Sequence, residues 1–243
     1  MSKLLRPRQT HSGILVGSHV VADLVRLVTV HSIMKPAKNE TQAFTLIELL
    51  AVIATMILLA AVLIPALRNA KLKAARISCT SNLKQIGLGF RIYSTDNGDR
   101  YPMQIPASLS DSNSPPAPRP IYQYYAGLSN QLGTPRVLIC PNDHRRFATN
   151  WASLRNPNLS YFLGFMAKET EPHSLLGGDR NLATNGVAVS NCIVDVNSNS
   201  VLSWTAELHG SNGNVVLGDG SVQQWTSTIL RTGLVTTNRL IIP

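Results

Sequence analysis

The chain has 243 residues, is 44% hydrophobic and only 14% charged, and carries a formal net charge of +9. That length suits one ordinary domain plus an anchor, and a weakly charged second half rich in Ser, Asn, Thr and Gly fits an extracytoplasmic β-rich domain better than a cytosolic enzyme. Residues 1–43 hold six basic and two acidic side chains, and much of the remaining positive charge sits in one stretch (Arg68, Lys71, Lys73, Arg76, Lys84) that reads as a solvated helix face, so nucleic acid is not expected as a partner.

In chain order, residues 14–34 are moderately apolar but are interrupted by His19, Asp23, Arg26 and His31, which argues against a membrane span. Phe44 to Leu63 differs: 20 residues with one ionisable side chain, Glu48. About 20 apolar residues cross a bilayer core as a helix, so residues 44–63 are expected to be transmembrane. A carboxylate at that depth costs at least ~2.5 kcal/mol and needs a partner or a function. Flanking charge favours a cytoplasmic C-terminal part, with Lys35 and Lys38 before the span and Arg68, Lys71, Lys73 and Arg76 after it.

The segment Gln42-Ala43-Phe44-Thr45-Leu46-Ile47-Glu48-Leu49-Leu50 resembles the processing site of type IV prepilins and pseudopilins. The resemblance implies that a prepilin peptidase cuts between Ala43 and Phe44 and N-methylates the new terminus. Glu48, fifth from Phe44, would then pair with the Phe44 amine of a neighbouring subunit, and Pro65 falls where pilins carry a helix-bending proline. It also implies an extracytoplasmic (periplasmic) head, the reverse of the flanking-charge reading. Ala43 departs from the usual Gly. A secretory signal would place its apolar stretch before the cut, whereas here it follows. Residues 1–43 are read as leader; a start at Met34 gives a ten-residue basic leader of ordinary kind, with residues 1–33 a mis-assigned extension.

Beyond Pro65 the pattern stays helical to about residue 95, with Leu72, Arg76, Cys79, Leu83, Ile86, Phe90 and Tyr93 on one face. Gly87 and Gly89 weaken the last turns, and Asp96-Asn97-Gly98-Asp99 supplies a stop. The three cysteines (Cys79, Cys140, Cys192) form no CxxC, which by spacing disfavours a structural zinc site. One disulfide plus a free thiol is the expectation, with Cys79–Cys140 as the pair.

Residues 96–243 form the expected head. The stretch 108–120 is a Pro/Ser-rich loop, and residues 121–200 hold short apolar runs suited to small strands and loops. Asn214–Leu217 and Ser221–Trp225 flank Gly218-Asp219-Gly220, a strong hairpin signal. The segments SNLKQIGLG and IYSTDNGD, the run Leu138-Ile139-Cys140-Pro141-Asn142-Asp143, and His209 followed after nine residues by Asp219-Gly220 resemble prepilin-type proteins with a processing-associated H-X9-DG domain. Two readings of that motif stand: a turn built by Asp219 and Gly220, or a small site such as a calcium position or subunit contact. Asp195, Asn197 and Asn199, with Asp219, are the calcium candidates, although Ala206 stands where a calcium loop needs Glu.

No nucleophile elbow, HExxH or P-loop is present, so no enzyme and no other cofactor is expected. The resemblance implies an α+β, pilin-like fold: a long N-terminal helix, transmembrane in its first half, on a small antiparallel β-sheet head. It implies a structural subunit of a type II secretion-like or type IV pilus-like filament in the inner membrane, with the peptidase and other pilin subunits as partners. The alternative is a membrane-tethered binding module that does not polymerise.

Overall fold

The computed structural model describes residues 45–105, 118–197, 199–233 and 237–243. The leader (residues 1–43, with Ala43) and Phe44 lie outside them. The chain divides into two units, Met1–Ile57 and Leu58–Pro243.

One helix, α1 (Leu46–Asp96), spans 51 residues. Its start is closed by Thr45: the Thr45 amide and hydroxyl donate to Glu48 Oε2 at 3.0 and 2.8 Å, and the Glu48 amide points at Thr45 Oγ1, 3.3 Å away. This reciprocal pairing satisfies amides that a helix N-terminus leaves without partners. The helix is long and apolar enough to cross a membrane; its most apolar 18-residue window has a mean hydropathy of 2.8 and no buried residue. Pro65 sits inside it and cannot donate to the Ala61 carbonyl, which loses one helical hydrogen bond.

Burial starts at Cys79 and follows Leu83, Ile86, Gly87, Gly89, Phe90 and Ser94. Leu72, expected on this face, is exposed. Gly87 and Gly89 do not interrupt α1. They let neighbours approach instead: a Cβ on Gly87 would lie 2.8 Å from Val216 Cγ2, and one on Gly89 would lie 2.8 Å from Leu132 Cδ2. The helix ends where the Asn97 and Asp99 amides turn back to the Ser94 carbonyl, with Gly98 and Asp99 at positive φ.

The segment after residue 118 begins with two short helices, α2 (Ile121–Ala126) and α3 (Ser129–Leu132), rather than strands. Ile121, Tyr124 and Tyr125 recur at three and four residues and bury one helical face. Among the described residues nine strands follow: β1 (Tyr161–Gly164), β2 (Leu175–Asp179), β3 (Leu182–Thr184), β4 (Val187–Ala188), β5 (Cys192–Val196), β6 (Leu202–Trp204), β7 (Asn212–Leu217), β8 (Val222–Thr226) and β9 (Asn238–Ile242). A last helix, α4 (Ser227–Thr232), lies between β8 and β9. Six strands form one antiparallel sheet in the order β5-β9-β1-β2-β7-β8, and β4-β3-β6 form a second. The architecture is α+β and pilin-like.

Side-chain alternation divides the core into two layers. Tyr161, Leu163, Leu176, Val216 and Ile241 pack with Cys79, Leu83, Ile86 and Phe90 of α1. Their neighbours Phe162, Leu175, Val215, Leu217, Leu240 and Ile242 pack with Leu182, Leu202 and Trp204 of the small sheet and Leu230 of α4. Successive residues of a strand face opposite sides, so the main sheet is covered on both faces.

Candidate functional site

Four chemically distinctive side chains meet where α1 crosses the main sheet. Cys79 lies on the buried stripe of α1, and Cys140 follows the 3-10 turn Pro135–Leu138, which Thr134 caps. Asp179 is the last residue of β2. His209 precedes β7, and the positive φ of Gly210 and Ser211 turns the chain into that strand. One donor atom from each of the four lies within 4.8 Å of the others, and all four residues are buried.

Cys79 Sγ donates to Asp179 Oδ1 at 3.1 Å, Cys140 Sγ is 3.4 Å from His209 Nε2, and that nitrogen is 3.5 Å from Asp179 Oδ2. A shell of polar groups holds the quartet. The Asn214 amide and side-chain nitrogens both donate to Asp179 Oδ2, at 2.6 and 2.9 Å. Tyr161 Oη is 3.4 Å from Cys79 Sγ, and Asn142 Nδ2 donates to the Leu208 carbonyl and lies 3.5 Å from His209 Nδ1.

Crowding these groups away from water moves their proton affinities in opposite directions. Burial raises Asp179 to about 6, against the pull of His209 and the Asn214 amide. Burial, then Cys140 and Asp179, push the Cys79 thiol far up, while Cys140 falls to about 5 through the neighbouring Cys79 and, against its own burial, through His209. His209 is lowered by burial, but Cys140 and Asp179 outweigh that and raise it.

The arrangement is not that of a nucleophile–base–acid triad. Cys140 and Asp179 approach the same ring nitrogen, whereas a triad uses opposite nitrogens of the imidazole. A surface hollow lined by Met103, Phe165, Met166 and Asn238 shares no residue with the quartet.

The fold therefore joins residues that the sequence left apart. Cys79 and Cys140 come together, but as free thiols and not as the expected disulfide. The spacing argument against a metal site considered only neighbours along the chain, and the four donors arrive from four separate segments. Asp179 was missed, since Leu-Leu-Gly-Gly-Asp-Arg matches no ligand motif. Its signal was the adjacent charged pair Asp179-Arg180 closing an apolar run in a chain poor in charge.

Two of the resemblance-bearing segments, 138–143 and the one from His209 to Gly220, contribute to this region. After Cys140, Asp143 accepts from Arg180 Nε and Nη2 at 2.7 and 2.9 Å. His209 and Asp219-Gly220 bracket β7 and contact α1 at separate points. His209 lies in the quartet with Cys79; Thr80 Oγ1 is 3.4 Å from Asn214 Oδ1, and Arg91 Nη1 donates to the Asp219 carbonyl at 3.3 Å. From Cys79 to Arg91 α1 advances about 18 Å, close to the roughly 20 Å of a six-residue strand. The nine-residue spacing thus matches β7 to the stretch of helix it lies along.

Asp219 and Gly220 themselves build the hairpin turn. The Gly220 amide reaches the Leu217 carbonyl at 2.9 Å, the Ser221 amide donates to Asp219 Oδ1 at 2.8 Å, and Gly220 has φ +79°. Of the calcium candidates, Asp219 stands apart from Asp195, Asn197 and Asn199. Asp195, on edge strand β5, is paired to Arg239 at 2.6 Å, Asn197 Oδ1 accepts from the Asn199 amide at 2.9 Å, and Asp219 belongs to the hairpin at the opposite edge. None of the family models, curated proteins or solved structures compared with the chain matches it.

Proposed function

We propose that the chain is a pilin-like structural subunit, anchored in the inner membrane by the first half of α1, with its head on the periplasmic side. The observation that carries this is α1 itself: an apolar, unburied N-terminal stretch continues as one helix into a stripe that supplies the head's core. The membrane covers the first half until the subunit is drawn into a type II secretion-like or type IV pilus-like filament, where other subunits replace lipid. The motif around Ala43, Phe44 and Glu48 supports cleavage before Phe44 by a prepilin peptidase. Glu48 stands in the first turn, and among the described residues its carboxylate takes hydrogen bonds only from Thr45. A neighbour's Phe44 amine would give it the countercharge that a bilayer or filament core demands.

Glu48→Leu tests this reading. The variant should insert in membranes at the wild-type level, because a carboxylate is removed from an apolar segment, yet fail to form cross-linkable, sedimenting oligomers. Oligomers at the wild-type level would contradict the filament role and favour a tethered, non-polymerising module.

A further inference from the structure

We propose that Cys79, Cys140, Asp179 and His209 bind one Zn2+ ion in a closed tetrahedral site that fastens the second half of α1 to the head. The donor set is two sulfurs, one imidazole nitrogen and one carboxylate oxygen, which suits zinc and not calcium or magnesium, whose ligands are oxygens. Zinc bonds of about 2.3 Å to sulfur and about 2.0–2.1 Å to nitrogen or oxygen place tetrahedral ligands roughly 3.3–3.8 Å apart. The observed separations are 3.1 Å (Cys79 to Asp179 Oδ1), 3.4 Å (Cys140 to His209) and 3.5 Å (His209 to Asp179 Oδ2), at or just below the lower part of that range, and one ligand atom from each residue lies within 4.8 Å of the others. Only small adjustments admit the ion.

Four protein ligands, all buried, leave no position for water or substrate, which is the mark of a structural site. Asn214 fixes Asp179 by two bonds to Oδ2 while Oδ1 faces Cys79, the kind of outer support that orients a ligating carboxylate. On binding, Cys79 and Cys140 coordinate as thiolates and His209 as neutral imidazole through Nε2, and whatever protons these groups carry are released to solvent. Two thiolates, one carboxylate and Zn2+ leave a single negative charge. Arg76, one turn before Cys79 on α1, is a cation near the site, and its Nε is buried without a hydrogen-bond partner among the described residues.

The competing arrangement, a Cys79–Cys140 disulfide, needs an external oxidant for the two electrons and leaves Asp179 and His209 buried with each other. One ion satisfies all four groups and joins α1, the Cys140 loop, β2 and the approach to β7. This site does not depend on whether the subunit polymerises.

The test uses the full chain purified from membranes in detergent without added chelator or reductant. Metal content by inductively coupled plasma mass spectrometry should give one zinc per chain, with all three cysteines alkylated after unfolding. After removal of zinc, Co2+ should bind at one equivalent with the strong visible absorption of a tetrahedral thiolate site. Asn214→Ala should weaken Co2+ affinity about 10–100-fold, and Cys192→Ser should leave stoichiometry unchanged. A Cys79–Cys140 disulfide without zinc would overturn the proposal. So would reduced thiols that take up neither metal, or zinc retained by a Cys79→Ser/Cys140→Ser double variant. The wild-type measurements decide the question even if a variant fails to fold.

Discussion

Replacing Arg180 by Met should be among the most damaging single changes in the head. The Arg180 side chain is 9% exposed and that of Asp143 is 1% exposed. The carboxylate takes two bonds from the guanidinium at 2.7 and 2.9 Å, one from Ser160 Oγ at 2.8 Å and one from the Arg145 amide at 3.2 Å. Arg180→Met keeps the bulk of the side chain and removes the charge, stranding a buried carboxylate on its two weaker partners. Breaking a buried pair from one side costs about 3–5 kcal/mol, a large share of a total stability of about 5–15 kcal/mol. For a chain of this size that lowers Tm by on the order of 10 °C. Arg180 also pairs with Glu207, but the Glu207 side chain is 47% exposed, so Glu207→Ala should cost less than about 1 kcal/mol.

Thermal unfolding of the detergent-solubilised chain, followed by near-ultraviolet circular dichroism, measures all three. The double variant Arg180→Met/Asp143→Asn should recover at least half the loss, because no charge is then stranded. Burial pushes Asp143 up, but the Arg180 and Ser160 hydrogen bonds outweigh it and hold its carboxyl below the usual range. Its contribution is therefore complete above the ordinary aspartate value of about 3.9 and is lost as pH falls through the lower folded value, so the deficit of Arg180→Met narrows below about pH 4. A loss under about 1 kcal/mol, or a double variant as unstable as the single, would refute the reasoning.

Two further outcomes test the helix–sheet contact and the calcium reading. Gly87→Ala places a Cβ 2.8 Å from Val216 Cγ2 and 3.2 Å from the Gly220 Cα and carbonyl; despite better helix propensity it should destabilise the head by about 1–3 kcal/mol, and an unchanged or raised Tm would show that the contact is loose. Because Asp195 is engaged by Arg239 at an exposed edge and Asp219 stands at the other, millimolar Ca2+ should leave Tm unchanged, and Asp195→Ala should cost less than about 1 kcal/mol. A calcium-dependent rise in Tm that Asp195→Ala abolishes would contradict that account.

The helix was legible in the sequence because its signals are one-dimensional. An apolar run long enough for a bilayer needs no tertiary context, and Cys79, Leu83, Ile86 and Phe90 repeat at the spacing of one helical face. Leu72 misled because periodicity marks a face without saying where its covering begins; burial starts only at Cys79. Gly87 and Gly89 were read by propensity as a weakness, whereas close packing determines their role. The hairpin around Asp219-Gly220 was legible for the same local reason as the helix. The quartet was not, since its members come from a helix, a loop, a strand end and a turn, and Cys79 and Asp179 lie 100 residues apart. Asp179 had no motif, and its partner Asn214 stood inside a run read only as strand.

The most direct test of the proposed function is the N-terminal residue of the mature protein, read by mass spectrometry of the membrane fraction. The account predicts a chain beginning with N-methylated Phe44, which establishes prepilin-type processing and a head outside the cytoplasm. A membrane-bound chain whose N-terminus still precedes Phe44, with the Ala43–Phe44 bond intact, would contradict it.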